Sequence, residues 1–107
     1  MNRTAGMLLS VLLPINGLHA QEAGDLRAGL SLAREVCSSC HAVLAGEAGF
    51  PDREAPTFDQ ISRVPGMTAM ALTVALQTSP ATMPNIMLEP DELRDVIAYI
   101  VGLQSRR

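Results

Sequence analysis

This 107-residue chain has no tryptophan and no lysine. Its aromatic side chains are Phe50, Phe58 and Tyr99 alone. Bulky core-fillers are therefore scarce, and a chain this short has trouble burying enough apolar surface unaided. The eight basic residues are all arginine, set against eleven Asp and Glu. That balance argues against nucleic acid or an anionic membrane surface as a partner, and it leaves no lysine ring to steer docking. Histidine occurs only as His19 and His41. No strand-period alternation, internal repeat or charge block stands out, so the chain reads as helices joined by loops.

The first twenty residues stand apart. Met1-Asn2-Arg3 gives a positive start, an apolar run extends from Ala5 to Leu13, and Pro14, Asn16 and Gly17 break it before Leu18-His19-Ala20. This is the pattern of a secretory signal peptide cut after Ala20. A membrane anchor is the rival reading, but a spanning helix needs about 20 apolar residues and this run is interrupted well before that. Cleavage leaves residues 21–107 as a single domain of 87 residues, with no stable membrane span and seven Arg against eleven acids. His41 is then the one histidine left.

What is present is Cys37-Ser38-Ser39-Cys40-His41. It reads C-x-x-C-H, the attachment pattern of a c-type haem. Two thiols must each add to a vinyl group on one edge of a porphyrin, and two intervening residues on a helical turn place both sulfurs at that edge. The next residue then aims its imidazole at the iron. Cys37 and Cys40 are thus expected as thioether anchors and His41 as an axial ligand. A thioredoxin-like dithiol needs a βαβ context that is missing here. A structural zinc site needs four ligands, and the mature chain offers three. A disulfide across two residues would close a strained loop. One covalent haem c would also give the short chain the interior it lacks, so the haem-free chain is expected to be largely disordered.

Helix signals organise the rest. Leu26, Leu30, Ala33 and Cys37 fall at helical spacing with Asp25 as N-cap, predicting a first helix over 25–40. Gly29 in its middle reads either as a tolerated solvent-face glycine or as the site of a close helix crossing. Gly46, Gly49, Pro51 and Pro56 mark residues 42–56 as a loop. Thr57-Phe58-Asp59-Gln60 opens a short helix through a capping box, which Pro65-Gly66 ends. A third helix, Met67 to about Thr78, is apolar nearly all round and is expected to be largely buried. Its Leu72, Ala75 and Leu76 line one side, and Met67, Met70 and Val74 another. Ser79 to Leu88 is a proline-rich uncharged loop. Glu89-Pro90-Asp91-Glu92 then opens a final helix with Leu93, Val96, Ile97, Ile100 and Val101 on one face.

A haem iron in an electron carrier takes a second axial ligand. Without a second histidine in the mature chain, methionine is the alternative: Met67, Met70, Met83 or Met87. Met67 and Met70 sit at helical spacing in an apolar stretch and read as core. Pro84 restricts Met83 to an extended conformation in the uncharged loop, from which a thioether can project. Met87, just ahead of the last helix, is the fallback.

With these pieces in order, the chain resembles the small bacterial class I cytochromes c over residues 25–103. Gly29 precedes Cys37 by eight residues, where that family keeps a glycine. Ala55-Pro56-Thr57-Phe58 resembles the segment whose proline carbonyl accepts a hydrogen bond from the proximal imidazole, which implies that Pro56 orients His41. Met83-Pro84 resembles the distal ligand motif. Asp95-Val96-Ile97-Ala98-Tyr99-Ile100 resembles the last helix, whose aromatic residue meets the first helix near its glycine. Ala33 departs from the family's frequent aromatic residue, and there is no Trp to hold a haem propionate; Arg53 and Arg63 are the alternatives considered for that role. The resemblance implies an all-α cytochrome c fold, three to five helices around one covalent haem.

The function expected is single-electron transfer in the periplasm, through an iron held by His41 and Met83, between partners such as a dehydrogenase, a respiratory complex or an oxidase. A haem subunit fixed to one periplasmic oxidoreductase is the alternative within the same chemistry. A haem sensor or enzyme with an open sixth position is the alternative outside it. Ala42, Val43 and Leu44, with Ala81 and Thr82, read either as an apolar docking rim or as a loop packed on the haem.

Overall fold

Asp25 starts the first helix as its spacing predicts. In the computed structural model, which describes residues 24–48 and 54–106, its carboxylate accepts from the backbone N–H groups of Arg27 and Ala28. Helix α1 runs Leu26–Leu32. It does not continue as regular α-helix to residue 40. Ala33–Cys37 is wound as a π-turn, closed by Ser38 N–H on Ala33 O at 2.9 Å. Cys37 O then accepts from the N–H groups of both Cys40 and His41, so the winding ends in a tight turn. Such π-turns are uncommon and favour functional positions. Here one lies directly before the first cysteine.

The capping box of α2 (Phe58–Ser62) forms as expected: Thr57 Oγ1 accepts from Gln60 N–H at 3.0 Å and Gln60 Oε1 accepts from Thr57 N–H at 2.8 Å. The helix ends at Ser62, three residues before Pro65, and Gly66 at φ +79° turns the chain toward the next helix. Helix α3 spans Ala69–Gln77 with Thr68 as N-cap. Helix α4 spans Pro90–Gly102, with proline in its first turn and Glu92 accepting from Glu89 N–H, and a 3₁₀ turn Leu103–Ser105 follows. The described residues hold these helices and no strand, an all-α architecture.

The crossing of α1 over α4 sets the frame. A β-carbon on Gly29 would meet Asp95 O at 2.0 Å and Tyr99 Cβ at 2.9 Å, and one on Gly24 would meet Arg94 O at 2.2 Å. Glycine is required there because backbone lies on backbone, so the close-crossing reading of Gly29 holds and Gly24 joins it. Asp95 pins the junction by accepting from Asp25 N–H at 2.8 Å. Around it the core gathers Ala33, Val43, Phe58, Leu72, Val96, Ile97, Tyr99, Ile100 and Leu103.

Helix α3 departs from expectation. Only Leu72 is buried, with Met67 and Leu76 packed partly on the core. Met70 is 73% exposed and Val74 53%, and Ala75 is exposed too. The helix rests on α4 along one side, and the described residues bring no second layer to the other. An all-apolar composition predicted burial on both sides, but the described residues supply a neighbour for one. Met70, read as core, belongs to the uncovered face.

Candidate functional site

The π-turn and the turn after it deliver three chemical groups in five residues. Cys37 is half-buried and packs against the core, and Cys40 is likewise half-buried. Both thiols are free. Burial pushes the Cys37 thiol above its ordinary value. Ser38 and Ser39 between them are exposed, so the sulfur-bearing turn sits at the molecular surface.

His41 is held from the side. Its Nδ1 lies 2.6 Å from Pro56 O. A carbonyl can only accept, so Nδ1 carries the hydrogen and Nε2 keeps its lone pair to offer a metal. The imidazole also packs on Phe58, ring centroids 5.5 Å apart, and Phe58 packs on Tyr99 at 6.3 Å.

The segments flanking this ring are tied together through main-chain oxygens. Phe58 N–H donates to Ala42 O at 2.9 Å. Tyr99 O–H, from α4, donates to Val43 O at 2.6 Å. Next along the chain, Asp59 accepts from Gly46 N–H, and Gly46 takes φ +71° to make the turn. Asp59 is only 8% exposed and its Oδ1 has no partner among the described residues.

Of the residues considered as a docking rim, Ala42 and Val43 are buried core, whereas Leu44, Ala81 and Thr82 are exposed. Their carbonyls are needed by Phe58 and Tyr99, which draws the chain inward. Sequence reasoning left rim and packed loop as alternatives and missed these carbonyl contacts, together with Gly24 and Asp59. It had grouped Tyr99 with α1 but not with residue 43. Arg53 lies outside the described residues, as does the leader with its cleavage site, and Arg63 is exposed. A cleft of about 520 Å³ beside the imidazole is lined by Arg34, Ser38, His41, Val43, Leu44 and Glu47. Arg34, absent from the sequence reasoning, is thus the arginine found with His41.

Among the methionines, Met83 sits in a turn closed by its own N–H on Pro80 O at 2.9 Å and is partly buried. Met87 is 86% exposed. It lines, with Leu76, Gln77, Asn85, Ile86 and Leu93, a smaller cleft of about 240 Å³ between α3 and α4.

The donor set is one of soft sulfurs and a single oriented imidazole. Among the described residues no three His, Cys, Asp or Glu side chains converge on one point. The family model described as "Cytochrome c" matches residues 26–104. This chain belongs to the cytochrome c family. It is 33% identical over 82 residues to cytochrome c-552 of Bradyrhizobium diazoefficiens, covering 77% of this chain and 78% of that one. No solved structure matches the chain. Membership means a covalently bound haem c and an electron-transfer role. The residues fit such a group: two free thiols at C-x-x-C spacing, and beside them an imidazole whose tautomer leaves Nε2 available. No described helix of this cytochrome c is long and apolar enough to cross a membrane.

Proposed function

We propose that this cytochrome c is a periplasmic carrier of single electrons, exported by residues 1–20 and folded as one domain over 21–107. Cys37 and Cys40 form the thioethers, His41 and Met83 are the axial iron ligands, and Pro56 orients His41. The observation that carries this reading is the 2.6 Å contact of His41 Nδ1 with Pro56 O. It fixes the ring so that only Nε2 can bind metal, one residue past the second thiol.

When bound, haem supplies the one-electron couple of its iron. The chain's own part is to hold and tune. The Pro56 carbonyl raises the basicity of His41 by accepting its proton partway, and a more basic ligand favours ferric iron. A thioether at Met83 pulls the other way and favours ferrous iron. Met83 is preferred to Met87 because it lies partly inside a closed turn, whereas Met87 faces solvent.

The partner meets an unusual surface. From Val64 to Leu88 there is no charged residue and no histidine, and Val64, Met70, Val74 and Met87 are exposed along it. Met83 lies in this stretch. A redox partner that approaches there has apolar surface to match and nothing to steer it. The test is the intact mass of protein purified from periplasm: a chain beginning at Gln21 plus one haem supports the reading. Unmodified cysteines or a retained leader overturn it.

A further inference from the structure

Tyr99 carries a hydroxyl group that the fold buries. The residue is 3% exposed, and a phenylalanine would fill the same space against Gly29 and Phe58. The hydroxyl therefore calls for a reason. Its partner is Val43 O, fifty-six residues back and two past His41. Val43 is itself 3% exposed, so without Tyr99 its carbonyl would face a buried surface with no donor named for it among the described residues, a costly state.

The connection runs on from there. Val43 follows Ala42, whose carbonyl accepts from Phe58 N–H. Phe58 follows the segment that presents Pro56 O to His41 Nδ1. The ring of Phe58 lies between those of His41 and Tyr99. Tyr99 therefore reaches the imidazole by two routes, one through hydrogen bonds to main-chain carbonyls and one through tilted ring contacts. Helix α4, locked on α1 at Gly29, is the rigid body at the far end of both.

We infer that Tyr99 is a positioning residue for the iron ligand: its hydroxyl holds residues 42–43 so that His41 stays against Pro56 O, and thereby sets the reduction potential. This rests on the reading of His41 as an axial ligand. Loss of the hydroxyl slackens the Ala42–Phe58 tie and lengthens the His41–Pro56 bond. The imidazole then donates less strongly, which disfavours ferric iron and raises the potential.

Two holoprotein variants test it. Tyr99→Phe keeps the ring and removes the donor. Because Tyr99 is the one tyrosine in the chain, growth on 3-fluorotyrosine labels that position alone and makes the phenol a stronger donor without disturbing the fold. The expected result is a higher potential for Tyr99→Phe, a lower one for the fluorinated protein, and opposite displacements of the low-spin ferric g-values. Unchanged potential and g-values in the fluorinated protein would overturn the inference and leave Tyr99 a packing residue, even if Tyr99→Phe fails to fold. Failure of the His41 assignment looks different, because the wild-type ferric spectrum would then lack a histidine-ligated low-spin signal from the start.

Discussion

Gly29 presses so closely on Asp95 that a β-carbon there would lie 2.0 Å from the Asp95 carbonyl oxygen. Helix propensity alone favours alanine at this position by about 1 kcal/mol. The overlap outweighs it, because the neighbouring atoms are backbone and cannot swing aside. Gly29→Ala is expected to lose about 2 kcal/mol net, in the range of overpacking penalties, read as a lower denaturant midpoint of the holoprotein. Gly46→Ala is the control. Its φ is +71° with nothing within 4 Å of an added carbon, so it should lose only about 1 kcal/mol, from strain in the left-handed region.

The two loop methionines are separable by spectrum. Met83→Ala should abolish the weak charge-transfer band at the red end of the ferric spectrum, lower the potential, and leave the covalent haem in place. Met87→Ala should keep the band, since its side chain is 86% exposed. A band that survives in the first variant and disappears in the second would reassign the ligand to Met87.

Partner association should ignore salt. Steered protein pairs speed up by orders of magnitude as ionic strength falls, while unsteered ones bind at about 10⁵–10⁶ M⁻¹ s⁻¹. With no charge from Val64 to Leu88, the second-order rate of electron transfer with a purified partner should be flat across an ionic-strength series. Val74→Glu, on an exposed position of α3, should slow the reaction without altering the spectrum. A steep salt dependence in the wild type would place docking elsewhere.

Alkaline stability should report Tyr99. Burial holds its phenol above the ordinary 10.0; Arg106 and Arg34 oppose that rise, and Asp59 and Glu47 add to it. The unfolded phenol ionises first, so the stability it contributes is complete below pH 10.0 and is lost as pH climbs through the folded value. Denaturant midpoints measured from pH 8 upward should fall less steeply above that point in Tyr99→Phe than in the wild type.

What the sequence made legible were features with local signatures. Asp25, Thr57 with Gln60, and Glu89-Pro90 each announce a helix start in adjacent residues, and all three start helices. The last helix shows its buried face by spacing alone. Gly29 gave two readings, and only the packing of α4 chose between them. Less legible was whatever depends on a distant neighbour. The π-turn at Ala33–Cys37 has no composition of its own. Helix α3 displays its apolarity plainly, but sequence cannot say that α4 covers one side and leaves Met70 and Val74 bare. Ala42 and Val43 gave two readings, rim or packed loop, because the donors that draw them inward lie on α2 and α4.

The acceptor atoms around the imidazole belong to no side chain. Ala42, Val43 and Pro56 each contribute a carbonyl oxygen, and every amino acid owns one of those. Mutations that spare the path of the chain can therefore drift through these positions while the ring stays where it is. A saturation scan would record tolerance of small apolar replacements at the buried Ala42 and Val43 and intolerance at the side-chain donors His41 and Tyr99. The evolutionary memory of the site would be written in His41 and Tyr99 more than in the loops that answer them.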